Sequence, residues 1–148
     1  MVLTSVPIGT IIDLDGINWY PRNWREMDRP SFRELDLKLS QAKDSVSQNK
    51  ILTINLAALA SDAFDLGYLI SELTDILSEI LDEIRPKDYV GRRPPEKSYE
   101  DQIKDLDLFA FRWNSARFGC EAYFKFVING DILYIVSLHQ HKTVRRGR

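Results

Sequence analysis

Tyr123, Lys125, Ser137, His139 and His141 occupy alternate positions of two apolar runs separated by Asn129-Gly130-Asp131. If the runs pair as a hairpin, a phenol, an ammonium, a hydroxyl and both of the chain's imidazoles share one face. These types suit cleavage of an RNA phosphodiester by side chains alone. A base takes the 2′-hydroxyl proton, cations hold the charge of the pentacoordinate phosphorane, and an acid protonates the leaving oxygen. Imidazole performs either proton transfer near neutral pH. Upstream, Arg92, Arg93, Lys97, Tyr99, Arg112, Trp113 and Arg117 add cations and rings of the kind that hold phosphates and stack unpaired bases. An ordinary open sheet face also carries such residues, so the constellation alone does not separate a site from a solvated surface.

Other chemistries fit less well. His139 and His141 offer two metal ligands from one strand face, but a closed zinc site needs four and Cys120 is the only thiol. As a nucleophile, Cys120 lacks a helix N-terminus to lower its pKa. Ile11-Ile12-Asp13-Leu14-Asp15-Gly16 resembles the nucleophile strand of haloacid-dehalogenase-type phosphotransferases. Ile17 stands where that motif carries a hydroxyl, and no doubly wound pattern follows, so an Asp-Gly turn explains it better. A calcium loop fails for want of the later oxygen ligands and the closing Glu.

Whether the reactive residues share a face depends on the turn. A two-residue Asn129-Gly130 loop places Lys125 beside Tyr134 and puts Tyr123 and His139 on opposite faces. A three-residue loop, Ile128-Asn129-Gly130 with Gly130 at positive φ, pairs Val127 with Asp131 instead. That register collects Phe124, Phe126, Ile128, Ile132, Tyr134, Val136 and Leu138 on one side, and Tyr123, Lys125, His139 and His141 on the other, with Val127, Leu133 and Ile135. Because it buries the apolar set, it is the expected one.

The remaining sequence must build the scaffold. At 148 residues, 44% of them apolar and 11% aromatic, the chain is globular and sized for one domain. No run approaches a membrane span, and MVLTSVPIGT has no basic segment ahead of its apolar stretch, so no secretory signal is expected. A lone cysteine fits the cytoplasm. The net charge of −2 hides an asymmetry: residues 1–86 carry 8 Lys/Arg against 14 Asp/Glu, whereas residues 87–148 carry 12 against 8. Such a division fits a polyanion-binding half, or simply two solvated surfaces of unequal charge.

Residues 1–29 read as a small β element. Pro30-Ser31-Phe32-Arg33-Glu34 is a capping box, and Phe32, Leu35, Leu39, Ala42 and Val46 then follow helical spacing to about residue 47. Ile51 to Leu56 fits either strand or helix. A broad stripe from Leu66 to Ile84 predicts a second helix over about residues 64–85, stopped by Pro86. Lys97 to Lys104 suggests a short helix, and Leu106 to Trp113 a strand. Helices followed by a meander predict an α+β fold, with the helices packed on one face of a small antiparallel sheet.

The C-terminal stretch resembles the motility quorum-sensing regulator toxins, mRNA interferases of the RelE-like superfamily. The likeness rests on Tyr123-Phe124-Lys125, the turn Asn129-Gly130-Asp131, and Val136-Ser137-Leu138-His139. It places the family's active-site Tyr at Tyr123, its terminal catalytic Lys at His139, and the Lys of an upstream Lys-Ser pair at Lys97. The family's catalytic Gln has no counterpart among Phe109, Ala110 and Phe111. Residues 1–30 are then an N-terminal extension and residues 31–148 a RelE-like core. The resemblance implies a metal-independent mRNA endonuclease toxin of a bacterial type II toxin–antitoxin pair, needing no cofactor, acting on free or ribosome-bound mRNA and neutralised by a cognate antitoxin protein. The catalytic candidates are Lys97, Tyr123 and His139; the RNA-binding candidates are Arg92, Arg93, Arg112, Arg117, Lys125 and His141. The alternative is a non-catalytic protein-binding module, such as an antitoxin, immunity or phage inhibitor protein, using the same open face, with Trp19, Tyr20 and Trp24 as interface anchors.

Overall fold

Ser31 opens the first helix as expected. In the computed structural model, which describes residues 28–142, its Oγ accepts a hydrogen bond from the Glu34 amide at 3.1 Å and α1 runs over Phe32–Ser47. The reciprocal arm of the capping box is not made. The Glu34 carboxylate turns to Arg29, whose Nε donates to it at 3.1 Å. The expected β element before residue 30 lies outside the described residues except for Asp28 and Arg29.

Ile51–Thr53 is a short strand, β1, and α2 follows at once over Leu56–Leu66, with the Asn55 side chain capping the Ala58 amide at 3.0 Å. The long helix expected over residues 64–85 is two helices. Gly67 stops α2 at φ 86°, in the left-handed region that glycine adopts without a Cβ clash. A single tight turn leads to α3, Leu73–Glu83. The apolar stripe runs through this break, because Leu69 and Ile70 continue its spacing while facing solvent. The short helix expected near Lys97 is only a turn at Asp101–Ile103.

The strands β2 (Phe109–Ser115), β3 (Cys120–Asn129) and β4 (Ile132–Gln140) form an antiparallel meander. β1 pairs in parallel with β4, giving the order β1-β4-β3-β2. The fold is α+β, but the sheet is mixed rather than antiparallel. A strand that feeds directly into a helix returns by a crossover, and the crossover permits parallel pairing.

The main core joins buried residues of all three helices to Phe109, Phe111, Phe124, Phe126, Leu133, Ile135 and Leu138. A smaller cluster, Ile103, Leu108, Val127 and Tyr134, occupies the other side of the hairpin, where residues 96–108 fold over the sheet. The hairpin explains this division. Gly130 has the expected positive φ of 65°, but the loop is Gly130-Asp131, with Asn129 opposite Ile132. The irregularity sits further along, between the Phe126–Ile135 and Lys125–Ser137 pairs, leaving Val136 as the extra residue. One inserted residue reverses the facing of half a strand. Leu133 and Ile135, expected beside the polar residues, are therefore in the main core, and Tyr134 is turned out to the smaller cluster.

Glu83 ties α3 to the sheet. Its Oε1 accepts from Trp113 Nε1 at 2.8 Å and Ser115 Oγ at 2.7 Å, and its Oε2 from the Arg117 amide at 2.8 Å. Burial opposes its charge, but these donors outweigh burial and hold the carboxyl below its ordinary 4.5. Glu83→Ala is expected to cost about 2 kcal/mol, as for hydrogen bonds to a charged group. A depressed folded-state value stabilises above the ordinary carboxyl pKa and less as acid protonates the folded state. The gap between wild type and variant, measured by urea unfolding, should therefore be full at pH 7 and narrow below pH 4.5.

Candidate functional site

Because the inserted Val136 restores the parity of β4, Tyr123 stands directly opposite His139. Their rings stack with centroids 5.0 Å apart and planes 24° from parallel. Arg112 on β2 is the next residue across from Tyr123, so Arg112, Tyr123 and His139 form a row perpendicular to the strands. Lys125, paired with Ser137 and with Ala110, occupies the neighbouring row on the same face.

The electrostatics of these groups differ. Burial, then the charge of Glu96, pushes the Tyr123 phenol above its ordinary 10.0, so it is a neutral hydrogen-bond donor at physiological pH. His139 Nδ1 lies 3.0 Å from the Gln140 carbonyl. A carbonyl only accepts, so Nδ1 carries the proton in that contact and Nε2 of the neutral ring keeps its lone pair. Arg112 Nε is 3.5 Å from a Glu121 carboxylate oxygen, both side chains being about two-fifths exposed, and such a pair contributes little. Lys125 has no ion-pair partner among the described residues. His141 lies just past the end of β4, its amide donating to the Glu121 carbonyl at 2.9 Å.

The other candidates are placed differently. Lys97 Nζ is 2.6 Å from Asp107, which also takes Arg29 at 2.9 Å, and no hydrogen bond or ion pair joins it to Tyr123 or His139. Burial opposes the Asp107 charge, but Lys97 and Arg29 together hold its carboxyl below 3.8. Arg93 donates to the Pro30 carbonyl at 2.6 Å and lies over the Tyr89 ring, 5.1 Å from its centroid. Arg117 is held by Glu79 of α3 at 2.5 Å. Arg92 is exposed, its carbonyl accepting from the Tyr89 hydroxyl at 2.5 Å. Trp113 is buried against Glu83 and presents no free ring, whereas Tyr99 is 86% exposed.

Glu96, which the sequence did not single out, reaches the site because residues 96–98 pair back on residues 106–108, with the Leu108 amide donating to the Glu96 carbonyl at 2.8 Å. Nothing local in the sequence signals that pairing. Among the described residues no group of three or more His, Cys, Asp or Glu side chains is disposed to hold a metal ion. No helix among them is long and apolar enough to cross a membrane. No protein-family model matches the chain, and no curated protein matches it.

Proposed function

We propose that the chain is an mRNA endonuclease toxin of a bacterial type II toxin–antitoxin pair, built on a RelE-like core and cutting RNA with side chains alone. The observation that carries this reading is the stacked Tyr123–His139 pair, flanked on the same face by Arg112 and Lys125. In this mechanism His139 Nε2 takes the proton of a 2′-hydroxyl. The 2′-oxygen attacks phosphorus, the bond to the 5′-oxygen breaks, and that oxygen leaves with a proton supplied by an acid. The neutral Tyr123 hydroxyl positions a phosphate oxygen, while Arg112 and Lys125 face the charge that develops on the phosphorane. Lys97 is the second proton carrier of the reading, and it must leave Asp107 to serve. The substrate is single-stranded, since a half-buried ring pair on a partly covered face receives splayed bases and not a closed helix.

The test uses the purified chain and a labelled single-stranded RNA in EDTA. Products ending in a 2′,3′-cyclic phosphate are expected; an intact RNA at high protein concentration would leave the face as a protein-binding surface. Binding supplies a second prediction. RNA affinity should fall steeply with salt, and Lys125→Glu or Arg112→Glu should each flatten the slope by about 0.7 per lost phosphate contact. Fluorescence anisotropy between 50 and 300 mM salt, on the order of the range where such contacts are resolved, reads this directly.

A further inference from the structure

The corner between α2 and α3 leaves large apolar side chains in solvent: Phe64 is 84% exposed and Leu69 68%. They border a groove with Gly67, Tyr68 and Glu72. Its buried wall, Tyr68, stacks on Phe118 with centroids 5.8 Å apart, and its hydroxyl has no hydrogen-bond partner among the described residues. Buried donors in that state are rare. Burial, then Asp62, pushes this phenol up to about 12.

Charge decides what fits the groove. Residues 51–84 contain seven Asp/Glu and no Lys or Arg. Glu72 lines the groove, Asp62 lies near the Tyr68 hydroxyl and Asp65 follows Phe64 in the chain, and none of the three has an ion-pair partner among the described residues. We infer that this corner is a docking site for a basic protein segment, one apolar side chain entering the groove beside Phe64 and Leu69 while flanking Lys or Arg meet Asp62, Asp65 and Glu72. A second copy of the chain would set these carboxylates against their own kind across a two-fold axis. RNA meets the same repulsion. Leu66 and Tyr68 belong to the main core, on the sheet face opposite Tyr123 and His139, so docking and RNA binding are independent.

The experiment uses two fluorescent amphipathic peptides, identical except that one carries Lys where the other carries Glu around a central Leu-Phe anchor. Anisotropy with the full chain should show the Lys peptide binding at least about tenfold tighter, a difference of ~1.4 kcal/mol. Phe64→Ala and Leu69→Ala should each weaken it about tenfold, as for interface anchors. Both residues are exposed, so the unfolding midpoint should not move. His139→Ala should bind as wild type, which separates this site from the nuclease reading. Equal binding of the two peptides, or of Phe64→Ala and wild type, overturns the inference. So does sedimentation showing a dimer that Phe64→Ala dissolves, because the occupant is then a second copy.

Discussion

Replacing His139 by Ala is expected to lower RNA cleavage by roughly 10²–10⁴-fold, the range for loss of a general acid or base. His139 stands on the outward face of β4, between the core residue Leu138 and Gln140, and its ring packs on Tyr123. Removing it takes away no core contact, so the unfolding midpoint should stay near that of wild type. Tyr123→Phe gives the complementary result. It keeps the stacked ring and removes the hydroxyl that positions phosphate, so activity should fall while affinity for single-stranded RNA persists. Single-turnover cleavage beside anisotropy separates the two. Equal loss of binding in both variants would make the pair a base platform with no part in proton transfer.

The second large effect is on stability. Phe126 is fully buried at the point where the hairpin register shifts. Its ring lies 5.8 Å from Phe111 at 10° between planes, 5.1 Å from Phe124 and 6.2 Å from Phe109. Phe126→Ala should cost about 3–5 kcal/mol, transfer and cavity terms together. That is a large part of the ~5–15 kcal/mol that holds a typical domain folded. Urea unfolding should show a lower midpoint at an unchanged m-value. A loss under about 1 kcal/mol would mean that the four rings are not the centre of the core.

The first helix and the shared face of Tyr123 and Lys125 were legible because their determinants are local. Ser31 after Pro30 and the spacing from Phe32 to Val46 define α1, and strand alternation places Tyr123 and Lys125 on one face of β3. His139 joins them only through the extra residue Val136, and not through the three-residue turn the sequence suggests. The bulge at Val136 was not legible. β4 is apolar at both parities near the turn, with Leu133 and Ile135 on one and Ile132 and Tyr134 on the other, because residues 103–108 cover a face that the local pattern treats as open. The break between α2 and α3 was hidden for a related reason. Leu69 and Ile70 continue a helical stripe through Gly67 although they point to solvent. Lys97, Arg93 and Arg117 show the limit for charged residues. Their partners, Asp107, Pro30 and Glu79, are distant in sequence or paired through a loop, and an exposed cation cannot be told from an engaged one by residue type.

RNA cleavage by the Tyr123–His139 face is best tested by mRNA integrity in growing bacterial cells that express either wild type or His139→Ala at equal levels. Wild type should arrest growth and fragment mRNA into pieces ending in a 2′,3′-cyclic phosphate, while His139→Ala leaves growth and mRNA intact. Equal toxicity of the two proteins, or equal harmlessness, would contradict the assignment of RNA cleavage to the Tyr123–His139 face.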